Sequence, residues 1–235
     1  MLTLTMDITV VVPTMWLAKE FEVSLEILHK AKRVSEVVVI DNGNRNMDFS
    51  RYGPRAQGQP IERYGKRIAV DQYGKFKMLR PGRNIYVTEP WNIGARLAAA
   101  EIVCLLNDDV ILQEEAFDFA SELIASDKSV GIVSVGGECY GNASHANTFR
   151  PTPNREYGFG CCMFFLKEKF VEIPTEIRIW FNDDFLFRKI QGTHCALTGA
   201  VARGGFSTTT FSPSVWPQIA EIVKKDEEAY WLLKG

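Results

Sequence analysis

Trp91-Asn92-Ile93-Gly94-Ala95-Arg96-Leu97-Ala98-Ala99-Ala100-Glu101-Ile102-Val103-Cys104-Leu105-Leu106-Asn107-Asp108-Asp109 decides how this chain reads. Its first part suits a short helix from about Asn92 to Ala100. Ile102 to Leu106 is an apolar run of strand length. The run stops at Asn107 and two adjacent carboxylates. Like charges one residue apart repel, so such a pair calls for a cation or for hydrogen-bond donors. Hard cations such as Mg²⁺ or Mn²⁺ take oxygen ligands, often one or two carboxylates plus substrate phosphates. A strand-end turn with Asx hydrogen bonds would use the same tripeptide. Taken alone, the three residues leave both readings open.

Upstream, Ile8 to Val12 is β-branched and meets Pro13, which cannot continue a central strand. Leu17, Phe21, Leu25 and Leu28 recur at helical spacing, which predicts an amphipathic helix from Met15 to Arg33. Val37 to Ile40 is a second strand, closed by the turn Asp41-Asn42-Gly43. This β-α-β unit seeds a parallel sheet with right-handed crossovers. Regular structure resumes at Ile85-Tyr86-Val87. Downstream of the acidic pair come a helix (Glu114 to Ala125) and a strand (Val130 to Val135). Residues 136–158 read as a long loop. Phe159 to Leu166 is apolar, Asn182 can cap a helix from Asp183 to about Gln191, Cys195 to Val201 reads as a strand, and 217–235 carries a surface helix. The expectation is an α/β fold in one domain over 1–235: a Rossmann-like mixed β-sheet flanked by helices. Ligands of open α/β sheets sit at the carboxyl ends of strands. Pro13-Thr14, Asp41-Asn42 and Asn107-Asp108-Asp109 all stand there.

The 235 residues are 46% hydrophobic and 24% charged, with a net charge of −2. That balance excludes disordered and fibrous classes. No segment has the ~20 apolar residues of a membrane span, and the start lacks the basic flank of a signal peptide. The five cysteines are odd in number and none forms a Cys-x-x-Cys pair. A reduced, cytoplasmic setting is the expectation.

Several motifs together resemble glycosyltransferase family 2 and related GT-A enzymes. Asn92, Gly94, Ala98, Glu101 and Leu106 match the Asn-x-Gly … Ala-x-Gly-Glu … Leu-Asp-x-Asp stretch of that family. Ile8 to Thr14 and Val37 to Asn42 are similar to its first two strands. Gly158-Phe159-Gly160 with Met163 to Leu166 resembles its Gly-rich acceptor segment. Trp180-Phe181-Asn182-Asp183-Asp184-Phe185 with Arg188 resembles the segment that supplies its base. The resemblance spans Asp7 to Ser207, residues 44–83 excepted.

It implies transfer of a sugar from a nucleotide-sugar donor to an acceptor hydroxyl, with inversion and with Mn²⁺ or Mg²⁺. Asp109 would be the metal contact, and Asp108 would face the ribose or sugar. Asp41, Asn42, Pro13, Thr14 and Asn92 would line the donor site, and Gly160 the acceptor side. Asp184 would be the general base with Asp183 beside it. First-turn acids also stabilise a helix macrodipole, a plainer reading of the same pair. Two departures stand out. Asn107 replaces the first Asp of the metal motif. Arg203 stands where the family often has a metal-binding His, and an arginine could grip a phosphate instead.

Residues 44–83 hold ten basic and three acidic side chains, so the segment is +7 and the rest of the chain −9. A hairpin from Arg67 to Leu79, turning near Gly74, fits its pattern. Its tyrosines and basic residues, among them Arg63, Lys66 and Arg67, suit a polyanionic acceptor. That raises a bacteriophage-type DNA glycosyltransferase, acting on a hydroxylated base, as an alternative; a solvated loop is the plain one. A glycoside hydrolase is disfavoured because the acids sit at strand ends beside a nucleotide-site pattern. A catalytically inactive nucleotide-sugar-binding module is the remaining alternative.

Overall fold

The computed structural model describes residues 5–45, 47–63, 66–137, 148–199, 202–204 and 211–234. Its spine is a parallel set of four strands. β1 (Ile8–Thr14) lies between β2 (Val34–Asp41) and β7 (Ile102–Leu106), and β6 (Phe76–Arg80) adds beyond β2. Val10 to Val12 and Val37 to Ile40 are all fully buried. Continuous apolar runs are what strands covered on both faces require.

Residues 44–83 extend this sheet. β3 (Arg55–Gln57) and β4 (Ile61–Arg63) both pair antiparallel with β5 (Lys66–Tyr73), which forms a hairpin with β6. The expected hairpin is therefore present, and its second strand docks parallel on β2. On the other side, β11 (Cys162–Leu166) runs antiparallel between β7 and β9 (Val130–Val135). β12 (Thr193–Thr198) and β10 (Thr148–Pro151) complete the order β10-β12-β9-β11-β7-β1-β2-β6-β5-β3. A two-stranded sheet of β8 (Val110–Leu112) and β13 (Ala202–Gly204) follows the acidic turn.

The helices are α1 (Phe21–Lys30), α2 (Thr88–Leu97), α3 (Glu114–Ser126), α4 (Asn182–Lys189) and α5 (Trp216–Leu233). α1 begins six residues later than its periodicity predicts. The hydroxyl of Thr14 accepts the Trp16 N–H at 2.8 Å, and Trp16 is left-handed (φ 59°), so the chain turns before the helix can start. Ile85 to Val87 is not a strand but the approach to α2, which begins at Thr88 rather than Asn92. α2 lies on β1 at Gly94, where a Cβ would fall 2.2 Å from Val11 Cγ1. Only glycine allows that approach, which explains the residue in the Asn-x-Gly pattern. The N-cap of α4 is Phe181, not Asn182. Asn182 instead donates to the Ile179 carbonyl at 3.1 Å and accepts from the Thr88 hydroxyl at 2.8 Å. No helix among the described residues is long and apolar enough to cross a membrane.

Candidate active site

The carboxyl ends of β1, β2 and β7 open into one cleft of about 560 Å³, within the usual range for small-molecule sites. Pro13, Thr14, Asn42, Asp108, Asp109, Gly160, Asp183 and Asp184 all line it. The acidic turn and the start of α4 therefore share a cavity, although 74 residues separate Asp109 from Asp183 in sequence.

Asp108 is 7% exposed and accepts a hydrogen bond from Thr14 Oγ1 at 2.7 Å. Burial pushes its carboxyl up to about 6, and the neighbouring Asp109 adds to the rise against the bonds from Thr14 and the backbone. A second buried carboxylate thus sits beside one whose charge is already costly. Such a pair suits a hard cation shared with phosphates. It does not make a protein-only cage: among the described residues no third His, Cys, Asp or Glu joins it. Arg203 of β13 pairs with Ile111 of β8, two residues beyond Asp109; its side chain lies outside the described residues.

The rim holds unusual backbone. Trp16, Tyr86 and Phe181 are non-glycine residues with φ near +60°, a conformation that costs roughly 1–2 kcal/mol each. Each is held from outside. Trp16 Nε1 donates to Asp41 at 2.7 Å. The amide of Asn42 clasps the 84–86 turn, donating to the Tyr86 carbonyl at 2.6 Å and accepting the Ile85 N–H at 3.1 Å. Phe181 stacks on Tyr230 of α5, centroids 4.9 Å apart.

Several expectations need correction. Asp41 does not line the cleft. It is buried behind the wall, bonded to Trp16, to the Arg45 N–H at 3.1 Å and to Arg80 at 3.4 Å. Asn92 is not a cleft residue either. Both ends of its amide are committed to the backbone of Ile173, at 2.8 and 2.9 Å. Its role is to hold the 173 segment against α2.

The basic segment also differs from expectation. Arg45, Arg51, Arg55, Arg63, Lys75, Lys77, Arg80 and Arg83 each bond to a carbonyl or an acid within the protein. Glu26, Glu36, Asp41, Glu89 and Glu172, from outside the segment, offset part of its surplus charge, Glu172 also pairing with Arg96. Arg63 pairs with Glu172, Arg67 is exposed away from the cleft, and the Lys66 side chain lies outside the described residues. Neither Arg63 nor Arg67 lines the cleft.

Two residues carry more than their sequence context suggests. Arg155 forks onto the acids of α4, with Nε 2.7 Å from Asp184 and Nη1 3.0 Å from Asp183. Burial pushes the Asp183 carboxyl up, and Arg155 opposes that rise. Asp226 of α5 is completely buried and accepts the N–H groups of Arg178, Ile179 and Trp180 at 3.0, 2.7 and 3.0 Å. It fixes the wall that leads into Phe181 and the acids. Gly160 lies against Asp183; a Cβ there would meet Asp183 Oδ2 at 2.0 Å.

A cleft at the strand ends of such a mixed sheet defines the class: this is a GT-A-type α/β fold. Three solved structures are similar to it. The first is S. aureus TarS 1–349, 14% identical over 94% of this chain and 70% of that one, TM-score 0.58. The second is GalNAc-T7 with UDP, GalNAc and Mn²⁺, 12% identical over 94% of this chain and 48% of that one, TM-score 0.59. The third is the mannosyltransferase PcManGT from Pyrobaculum calidifontis with GDP-Man and Mn²⁺. It is 16% identical over 82% of this chain and 56% of that one, TM-score 0.50. This chain thus spans about half the length of the last two. No family model and no curated protein matches the sequence. At these identities the likeness is one of fold.

Proposed function

We propose that this protein transfers a glycosyl group from a nucleotide-diphosphate sugar to an acceptor hydroxyl, with inversion at the anomeric carbon. The observation that carries the reading is the meeting of two acid pairs, Asp108–Asp109 and Asp183–Asp184, in one cleft at the strand ends. Glycosyl transfer needs one anionic site for a metal-bound diphosphate and a second carboxylate for the acceptor proton. The glycosyltransferase neighbours, bound to UDP or GDP-Man and two of them to Mn²⁺, support the donor class.

Pro13, Thr14 and Asn42 form the donor wall. Asp109, with Asp108, would hold Mn²⁺ or Mg²⁺. When bound, the ion offsets the charge that grows on the leaving diphosphate. Thr14 orients Asp108 through its hydroxyl. Asp184 accepts the proton of the acceptor hydroxyl as that oxygen bonds to the anomeric carbon and the bond to the diphosphate breaks. A cytoplasmic setting goes with this reading, since the buried thiols Cys104, Cys162 and Cys195 are free.

The test is a panel of nucleotide-sugars read by nucleoside-diphosphate release, with and without Mn²⁺. Water serves as a slow acceptor, so the unknown acceptor is not needed. One donor should be turned over, with Mn²⁺ required. Asp184→Asn should lose turnover on the order of 10²–10⁴-fold. No release from any donor would reject the proposal.

A further inference from the structure

Asp183 and Asp184 are adjacent carboxylates in the first turn of α4, and both face the cleft. Left to themselves, two such groups repel, and a proton taken up to relieve that repulsion would disable a base. Among the described residues, the guanidinium that reaches both is that of Arg155, through different nitrogens: Nε to Asp184 and Nη1 to Asp183.

The loop that carries Arg155 is itself braced. Its neighbour Glu156 accepts from Arg150 at 2.6 Å and from the Thr152 hydroxyl at 2.8 Å. The Thr152 N–H donates to the His194 carbonyl at 2.8 Å. Gly160 leaves room for the Asp183 carboxyl where it meets the fork, since a Cβ there would fall 2.0 Å from Asp183 Oδ2. Arg155 is therefore delivered to the pair by a set of bonds that does not involve the pair.

From this geometry we infer that Arg155 is the positioning residue of the base: its guanidinium holds Asp183 and Asp184 in fixed orientations and sets a positive charge against the pair. The inference rests on the transferase reading above. Arg155 itself takes no proton. A planar fork suits the task, since it bonds two carboxylates in set directions where a lysine offers a single point charge. Other ionisable groups near the pair are Tyr157 on the Arg155 loop, Cys161 before β11, Tyr230 on α5, and Asp108 and Asp109 in the same cleft. The cations of α4 itself are turned elsewhere, Arg188 to the Tyr230 hydroxyl and the Lys234 carbonyl and Lys189 over the Phe185 ring, so among the described residues Arg155 is the cation paired with the two acids.

The experiment compares wild type, Arg155→Met and Arg155→Lys. Each is measured for kcat and KM of diphosphate release against pH, with the best donor of the panel. Each is also titrated by carboxyl NMR of Asp183 and Asp184, which needs no activity. For Arg155→Met the acid limb of kcat/KM should move up by roughly one to three pH units, with donor KM unchanged and rate recovered at high pH. The carboxyl titrations should rise by the same amount. Arg155→Lys should bring the limb back toward wild type while kcat stays low, because charge returns without the fork. Carboxyl titrations and a pH limb that do not move would overturn the inference. So would a raised donor KM with an unmoved limb, which would make Arg155 a donor contact. If wild type releases no diphosphate from any donor, the transferase reading fails, and the NMR titration still decides whether Arg155 sets its charge against the pair. If Arg155→Met does not fold, Arg155→Lys carries the test: its limb must stay within a pH unit of wild type, and a larger shift refutes the inference.

Discussion

Replacing Asp108 by Asn should stabilise the ligand-free protein at neutral pH. The carboxyl is 7% exposed and is pushed from 3.8 to about 6, chiefly by burial. At ~1.4 kcal/mol for each pKa step, its ionised form costs the fold about 3 kcal/mol. Asn is nearly isosteric and can still accept the Thr14 hydroxyl. Two backbone N–H groups, of Met15 and of Asp108 itself, also bond the carboxylate, and an amide that gives one oxygen to Thr14 forfeits about 2 kcal/mol there. The net gain is about 1 kcal/mol, or roughly 2–4 °C in melting temperature for a chain of this size.

The sign follows from proton linkage. Between pH 4 and 6 the folded state keeps a proton that the unfolded state has released. The stability of wild type therefore falls as pH rises through that window and is flat above about 7. The assay is thermal melting of both proteins in chelator from pH 5 to 8. The gap should be small at pH 5 and full by pH 7.5. Saturating Mn²⁺ with a nucleoside diphosphate should raise the wild-type midpoint and narrow the gap, because ligands of the native state stabilise it. A variant less stable than wild type at pH 7.5, or a gap that does not change with pH, would refute the reasoning.

Other outcomes follow from single contacts. Gly160→Ala should displace the Asp183 carboxyl, 2.0 Å from the added carbon, and lose diphosphate release while the circular dichroism spectrum stays native. Gly94→Ala drives a methyl into Val11 and should lower stability by about 1–3 kcal/mol in urea melts without touching the cleft. Asp226→Ala leaves three part-buried N–H groups without their acceptor, so a loss of about 3 kcal/mol is expected. If that variant remains folded, its carboxyl NMR signals from Asp183 and Asp184 should broaden.

The frame of the fold was legible because it is written in local patterns. Ile8–Val12, Val37–Ile40, Ile102–Leu106 and Val130–Val135 are short, largely apolar runs, and all four form buried strands. Asn107-Asp108-Asp109 could be placed at a strand end for the same reason. Longer-range relations were not legible. Arg155 is a lone arginine in a Pro- and Asn-containing loop, and its partner Asp184 lies 29 residues on. Asp226 stands in the charged run Lys224-Lys225-Asp226-Glu227-Glu228, which reads as a solvated helix face; its bonds to Arg178, Ile179 and Trp180 span about 46–48 residues. A motif position does not reveal which way an amide points, so the bonds of Asn92 to the backbone of Ile173 were not legible. Nor does the +7 of residues 44–83 reveal the acids that other segments set against it.

The central claim is that Asp108–Asp109 is the donor end of the cleft and Asp183–Asp184 the base end. Calorimetric titration of a nucleoside diphosphate, with and without Mn²⁺, into wild type, Asp109→Ala and Asp184→Asn tests it most directly. Wild type and Asp184→Asn should bind alike and need Mn²⁺, and Asp109→Ala should lose the Mn²⁺-dependent part. Binding by Asp109→Ala that matches wild type, or Mn²⁺-dependent binding lost in Asp184→Asn instead, would contradict the assignment.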